Sequence, residues 1–295
     1  MDTSGKLESM PENFKKMFDK DDFERAEHTN SVFFLGCLFY KELSLEKSIN
    51  IKKLDNSNNF LFIWFLTALA HDFGYEYEKN FKKFKNKITS IDTLKKHFEI
   101  DEDITSADIE PSSKAGRLYT QIKPYFEYRY KDCKIDHGIL AGIMLFDSLE
   151  KHRKDKEKKK DDDFYWGEDL RLDYAHASIA IATHNIWNVK DESLNFDRIF
   201  PISFNDYPLL FLLGLVDTLE PIKTFYCMDT NEVLKNIYIE FSSDEKKVTL
   251  SKKDDSSLDF EKIKKKLEGL ENWLDVEVCL RQNQISIKIN QEGFI

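Results

Sequence analysis

Apolar positions along this chain fall into two textures. Up to about residue 221 they recur at the spacing of helices that bury one face, and beyond residue 230 they alternate with polar positions. Over 22–43 the apolar side chains Phe23, Ala26, Val32, Leu35, Leu38 and Phe39 stay close to the 3.6-residue period of a helix. Residues 53–59 read as a loop whose last Ser and Asn residues can cap a following helix. That helix, from Phe60 to Ala70, is apolar almost without interruption and is expected to be buried. Segments 136–152, 168–187 and 206–221 predict three more core helices, and the less patterned 76–110 predicts short ones. A short helix is expected near Pro11, and the charged run 151–163 reads as a solvated loop. After Thr230 the pattern changes. Residues 237–241 and 247–251 alternate as strands around a polar turn, 260–274 is amphipathic helix, and 276–280 and 284–289 alternate again. The expected fold is mainly α, with a helical domain over 1–228 and a small α+β appendage of ββαββ order over 229–295.

Composition narrows the function classes. A length of 295 residues, 41% hydrophobic and 33% charged, is ordinary globular composition, and 24 phenylalanines against 10 glycines and 6 prolines favour aromatic packing between helices. A formal charge of −10 disfavours a protein whose work is gripping nucleic acid, because phosphate backbones repel it. The cysteines Cys37, Cys133, Cys227 and Cys279 show no close pairing, so they read as core thiols of a reducing compartment. The longest apolar run is far shorter than the ~20 residues that cross a bilayer. With a polar start at Met1, no membrane contact and a cytoplasmic location are expected.

Candidate chemistry begins with His71-Asp72. This pair closes the apolar run and precedes Phe73-Gly74. An imidazole and a carboxylate at the end of a buried helix are costly unless a partner offsets them, and a divalent metal binds both. Four other helix-like segments carry one such residue each: His28, His137, His184 and Asp217. Asp217 follows eight apolar or glycine residues, and His137 is flanked by Asp136. His176 stands eight residues before His184 on the same expected helix, near the same face, where it could substitute for His184 or line the pocket.

The order His28, His71-Asp72, His137, His184, Asp217, with the core Ala-His-Asp-Phe-Gly, resembles the HD-domain superfamily of metal-dependent phosphohydrolases over roughly residues 20–225. The resemblance implies that His28, His71, Asp72 and Asp217 hold one divalent ion. It implies that His137 and His184 add a second, with Asp72 bridging the two. Mn, Fe, Ni, Zn or Mg can serve, His and carboxylate ligands suiting the transition metals best. The implied activity is a phosphodiesterase acting on a nucleotide or a short or cyclic oligonucleotide, by attack of a metal-bound hydroxide in which Asp72, His137 and His184 take part. Two positions depart from the family pattern. Tyr75 stands where many members have a phosphate-neutralising Lys, and Asn185 follows His184 where several two-metal members have a second His. The missing cation then has to come from elsewhere, with Arg25, Lys79, Arg117 and Arg129 as candidates. Tyr75 and His176 are expected to line the substrate pocket. The aromatic and cationic stretch 114–131 could meet a base and phosphates, or form a mixed surface helix. Two other readings are an HD-type single-strand nuclease and a non-catalytic HD nucleotide-binding regulatory module.

Overall fold

The structure is a computed structural model that describes residues 23–45, 57–104, 107, 109–159, 168–186, 200–225 and 228–290. The helical part comprises α1 (Phe23–Glu42), α2 (Ser57–Ala70), α3 (Tyr75–Lys79), α4 (Ile91–His97), α5 (Lys114–Lys131), α6 (His137–Lys159), α7 (Glu168–Thr183), α8 (Pro208–Leu219), α9 (Pro221–Thr224) and α10 (Thr230–Asn236). The C-terminal part comprises β1 (Ile237–Ser242), β2 (Lys247–Lys252), α11 (Glu261–Leu267), β3 (Val276–Leu280) and β4 (Gln284–Ile289). The protein is mainly α with a small antiparallel sheet at its C-terminus, as the two textures predict. The expected helix near Pro11 and most of the loop before α2 lie outside the described residues.

The centre of the fold is α8. Every residue from Leu209 to Val216 is buried, because Pro208 starts the helix at its first turn and no charge interrupts the run before Asp217. Helices α1, α2 and α7 surround it. Two close approaches fix this packing. The ring of Trp64 lies over Gly36, where a Cβ would sit 2.1 Å from Cζ2, so α1 and α2 meet on a flat glycine surface. Between α6 and α7, a Cβ on Gly138 would be 2.6 Å from the Ile181 carbonyl and one on Gly142 would be 2.3 Å from that of Ser178. Bulkier residues would push these helices apart, and with them the side chains at their ends.

The sheet has the order β1-β2-β4-β3. Val248, Leu250, Ile285 and Ile287 are buried and join the core cluster that includes Phe39 and Leu213. Trp273 stacks on Gly214 of α8, and Ile202 exchanges backbone hydrogen bonds with Trp273 and Asp275 at 2.8 and 2.9 Å. Among the described residues no helix is long and apolar enough to cross a membrane.

Three local expectations change. The charged run does not begin as a loop, since α6 continues to Lys159. Arg153 is buried there and binds Glu150 three residues before it and Glu157 four residues after it, pairs that the helical repeat places side by side. The amphipathic segment over 260–274 stops as a helix at Leu267, because Gly269 adopts φ 84 before a short 3-10 turn at Leu270–Asn272. The cysteines are not uniformly core thiols. Cys37 is half-buried, while Cys133, in the turn after α5, and Cys279, on the edge strand β3, are exposed; Cys227 lies outside the described residues.

Candidate metal centre

Helix ends build the site. His28 sits on α1, and His71 and Asp72 occupy the turn that closes α2. His137 is the first residue of α6, His184 lies just past α7, and Asp217 falls in the last turn of α8. Gly74 lets the turn after Asp72 touch the start of α6: a Cβ there would lie 2.2 Å from the His137 carbonyl oxygen. The apolar cores of α2, α7 and α8 therefore deliver polar groups only at their ends, and the ends converge.

The six sequence-predicted ligands come together as two groups, His28 with His71 and Asp217, and Asp72 with His137 and His184. In each group the nitrogen or oxygen atoms lie within 4.8 Å of one another. Asp72 joins the groups. Its Oδ1 is 3.2 Å from His137 Nε2 and 3.5 Å from His71 Nε2, and its Oδ2 is 3.6 Å from His28 Nε2. His28 Nε2 is 3.1 Å from Asp217 Oδ1 and 3.3 Å from His71 Nε2.

All four imidazoles present Nε2 to the centre, for one reason. His71 Nδ1 is 2.7 Å from the Ala68 carbonyl and His184 Nδ1 is 2.6 Å from the Ile181 carbonyl. A carbonyl only accepts, so Nδ1 carries the proton and the neutral ring keeps its lone pair on Nε2. Carboxylates do the same for the other two. His137 Nδ1 is 2.6 Å from Glu78 Oε2, and His28 Nδ1 is 3.1 Å from Glu220 Oε2. Glu78 is in turn held by Arg129 Nη2 at 2.7 Å. Glu220, fully buried, accepts from Ser31 Oγ and from the backbone N–H groups of Ile222 and Lys223. Carboxylates behind metal-ligating histidines orient the rings and raise their basicity.

Electrostatics match this geometry. Burial alone would keep His28 neutral, but its bonds to Asp217 and Glu220 win and raise it to about 9. His137 is raised to about 10 against the same burial by Asp72 and Glu78. His71 has no such direct bond, and burial lowers it to about 4. Burial also lowers His184, helped by the nearby charge of His137. Asp72 and Asp217 stay well below the carboxylate range, since Lys223 and the histidines outweigh the cost of burying them. A cation at Nε2 of His28 or His137 would compete with the second proton that these carboxylates favour.

Asp72 Oδ1 decides whether a metal fits. It is buried, and among the described residues no donor meets it with hydrogen-bond geometry. An acceptor of this kind, with His137 Nε2 and His71 Nε2 3.2 and 3.5 Å away, suits a cation. The centre can hold a metal ion.

The substrate candidates divide. Tyr75 lies at the rim, 40% exposed, its ring edge-on to His137 at 5.4 Å between centroids. Arg129 stands behind Glu78 rather than in the centre. Arg117 bonds the Ser112 carbonyl on the exposed side of α5, and Lys79 is exposed at the end of α3. His176 packs against Tyr207, its ring centroid 6.0 Å away, and belongs to neither ligand group. The Arg25 side chain lies outside the described residues. The cation at the centre is one that sequence reading does not single out, Lys223, whose Nζ is 3.1 Å from Asp217 Oδ1 and 3.4 Å from His28 Nε2. Glu78 and Glu220 are also absent from the sequence reading. The signal for Glu220 is its place three residues, about one helical turn, after Asp217. Asn185, noted for departing from the family, places Nδ2 3.2 Å from His137 Nε2.

No family model, no curated protein and no solved structure matches this chain.

Proposed function

We propose that the protein is a metal-dependent phosphohydrolase that cleaves a phosphate ester or phosphodiester of a nucleotide or short oligonucleotide. The reading rests first on Asp72, whose two oxygens face the two ligand groups while its buried Oδ1 lacks a donor. The proposed occupants are two divalent cations, one on His28, His71 and Asp217 and one on His137 and His184, with Asp72 shared between them. Four imidazoles and two carboxylates favour Mn, Fe, Ni or Zn over Mg. When bound, such a pair would supply a water of lowered pKa and stabilise charge on the attacking and the leaving oxygens of phosphoryl transfer. The residues of the chain set the stage for it. Glu78 and Glu220 lock two rings, the Ala68 and Ile181 carbonyls lock the other two, and Lys223 offers the cation that Tyr75 cannot supply to a phosphate. Resemblance of the ordered ligand set to the HD-domain superfamily supports the same reading. A net charge of −10 weighs against a nuclease that follows long single strands.

The test is metal content per chain, by elemental analysis of protein purified without chelator and after Mn loading. Hydrolysis of bis(4-nitrophenyl) phosphate before and after chelation is measured beside it. Two ions per chain and chelator-sensitive hydrolysis are expected. A protein that takes up no metal in either state overturns the proposal.

A further inference from the structure

Lys223 has company. Helix α11 of the C-terminal part packs against α8 and α9. From it Lys266 donates through Nζ to Thr224 Oγ1 at 2.7 Å, one residue beyond Lys223. Among the described residues Lys266 forms no ion pair, and Thr224 is its hydrogen-bond partner. Burial and the charge of Lys223 hold its ammonium below the usual lysine value. Lys223 has Asp217 on one side, yet its side chain is 41% exposed and can be reached from outside. Lys266 is thus anchored one residue from Lys223, and among the described residues only the Lys223 ammonium of the two has a carboxylate against it, so an added anion would find its charge least met on the Lys266 side.

We propose that Lys223, Thr224 and Lys266 form a subsite for a second phosphate group of the substrate, next to the phosphate that the metal centre holds. This rests on the phosphohydrolase reading and narrows it. The substrate then carries at least two phosphate groups, as a pyrophosphate-type compound or a short oligonucleotide does and a phosphomonoester or a cyclic mononucleotide does not. It also gives the C-terminal part a task, since α11 carries the only member of the subsite that lies outside the helical region. The two lysines supply the charge a phosphate needs, and Thr224, whose hydroxyl donates to the Glu220 carbonyl at 3.2 Å, anchors Lys266 in place.

The experiment uses the full chain, Mn-loaded, with free Mn matched in cell and syringe. Methylenediphosphonate, a pyrophosphate analogue that resists hydrolysis, and orthophosphate are titrated calorimetrically. The wild type is expected to bind the diphosphonate more tightly than orthophosphate. Lys266→Met is expected to weaken the diphosphonate about tenfold, the scale of one charged hydrogen bond, and to leave orthophosphate affinity and Mn content unchanged. Lys266→Arg keeps the charge and should keep most of the affinity. Thermal unfolding of each variant establishes that it is folded. Equal binding of the diphosphonate by wild type and Lys266→Met overturns the subsite. A protein that takes up no Mn overturns the metal centre instead; Lys266-dependent diphosphonate binding by that metal-free chain would still support the subsite.

Discussion

Helices α6 and α7 carry a buried polar cluster at each end, and the two clusters are built on opposite terms. At one end Glu150, fully buried, accepts from Arg153 Nε and Nη2 at 2.9 and 2.8 Å and from the Tyr174 hydroxyl, with Arg171 Nε an ion-pair neighbour at 3.4 Å. Its charge is met inside the chain. Burial opposes the carboxylate, but the bonds from Arg153 and Tyr174 prevail and hold it down to about 2. At the other end, Asp72, His137 and His184 bring nitrogen and oxygen atoms within 4.8 Å of one another, and among the described residues Asp72 Oδ1 has no hydrogen-bond partner. A carboxylate that only has to be stable has both its oxygens met by donors, as Glu150 has. One that leaves acceptors turned inward is complete only with something from outside.

The sharpest way to break that contrast is Asp72→Ala. The change removes the one group shared by both ligand sets, so metal retention and hydrolysis should fall together by more than about 1,000-fold, the several kcal/mol that metal stabilisation supplies. The helical circular dichroism should stay, because the substitution removes a buried charge rather than a packing group. Full activity in this variant would mean that the site lies elsewhere.

Glu150→Gln should do the reverse. It leaves Arg153 and Arg171 facing a neutral amide, at a cost of about 3–5 kcal/mol in urea unfolding. Metal content should not change. The pH dependence has a definite sign. Because the folded carboxyl lies below its ordinary value of 4.5, its contribution is fully present above that pH and is lost as pH falls towards 2. The gap in stability between wild type and variant should therefore shrink from pH 7 to pH 3. A constant gap would show that the ion pair is not its origin.

Smaller effects are expected one layer out. Glu78→Gln and Glu220→Gln each keep the shape of an orienting partner and remove its charge. Each should lower Mn affinity about 10–100-fold, read by competition with a fluorescent chelator, with the fold intact. No change in either variant would reduce Glu78 and Glu220 to packing groups.

How much of this the sequence carries depends on the kind of signal. The helices and strands are legible because period and burial coincide, most clearly in α8 and in the β2–β4 pair. The candidate ligands are legible because each is an imidazole or carboxylate in a segment with the apolar pattern of a helix. Glu78 is not, since it stands among Glu76, Lys79 and other charges and looks like surface until Arg129 and His137 close over it. Arg153 and Lys266 are hidden in the same way, one in a charged run and the other third of three lysines. Their roles come from contacts distant in sequence, which no local pattern encodes.

His176→Ala should have the smallest effect, and it tests the second ligand group most directly. Sequence spacing leaves His176 and His184 as rivals, because eight residues bring a helix back near the same face. Along the axis, however, eight residues at about 1.5 Å each separate them by about 12 Å, too far for one to replace the other. His184 stands at the end of α7 with its ring 5.1 Å from that of His137, whereas His176 lies in the body of the helix against Tyr207. The expected outcome is unchanged Mn content and less than about threefold change in hydrolysis for His176→Ala, a surface-scale perturbation. His184→Ala should lose one ion of two. If His176→Ala loses the ion and His184→Ala keeps it, the second group has been drawn at the wrong end of α7, and Asp72 no longer bridges the atoms assigned to it here.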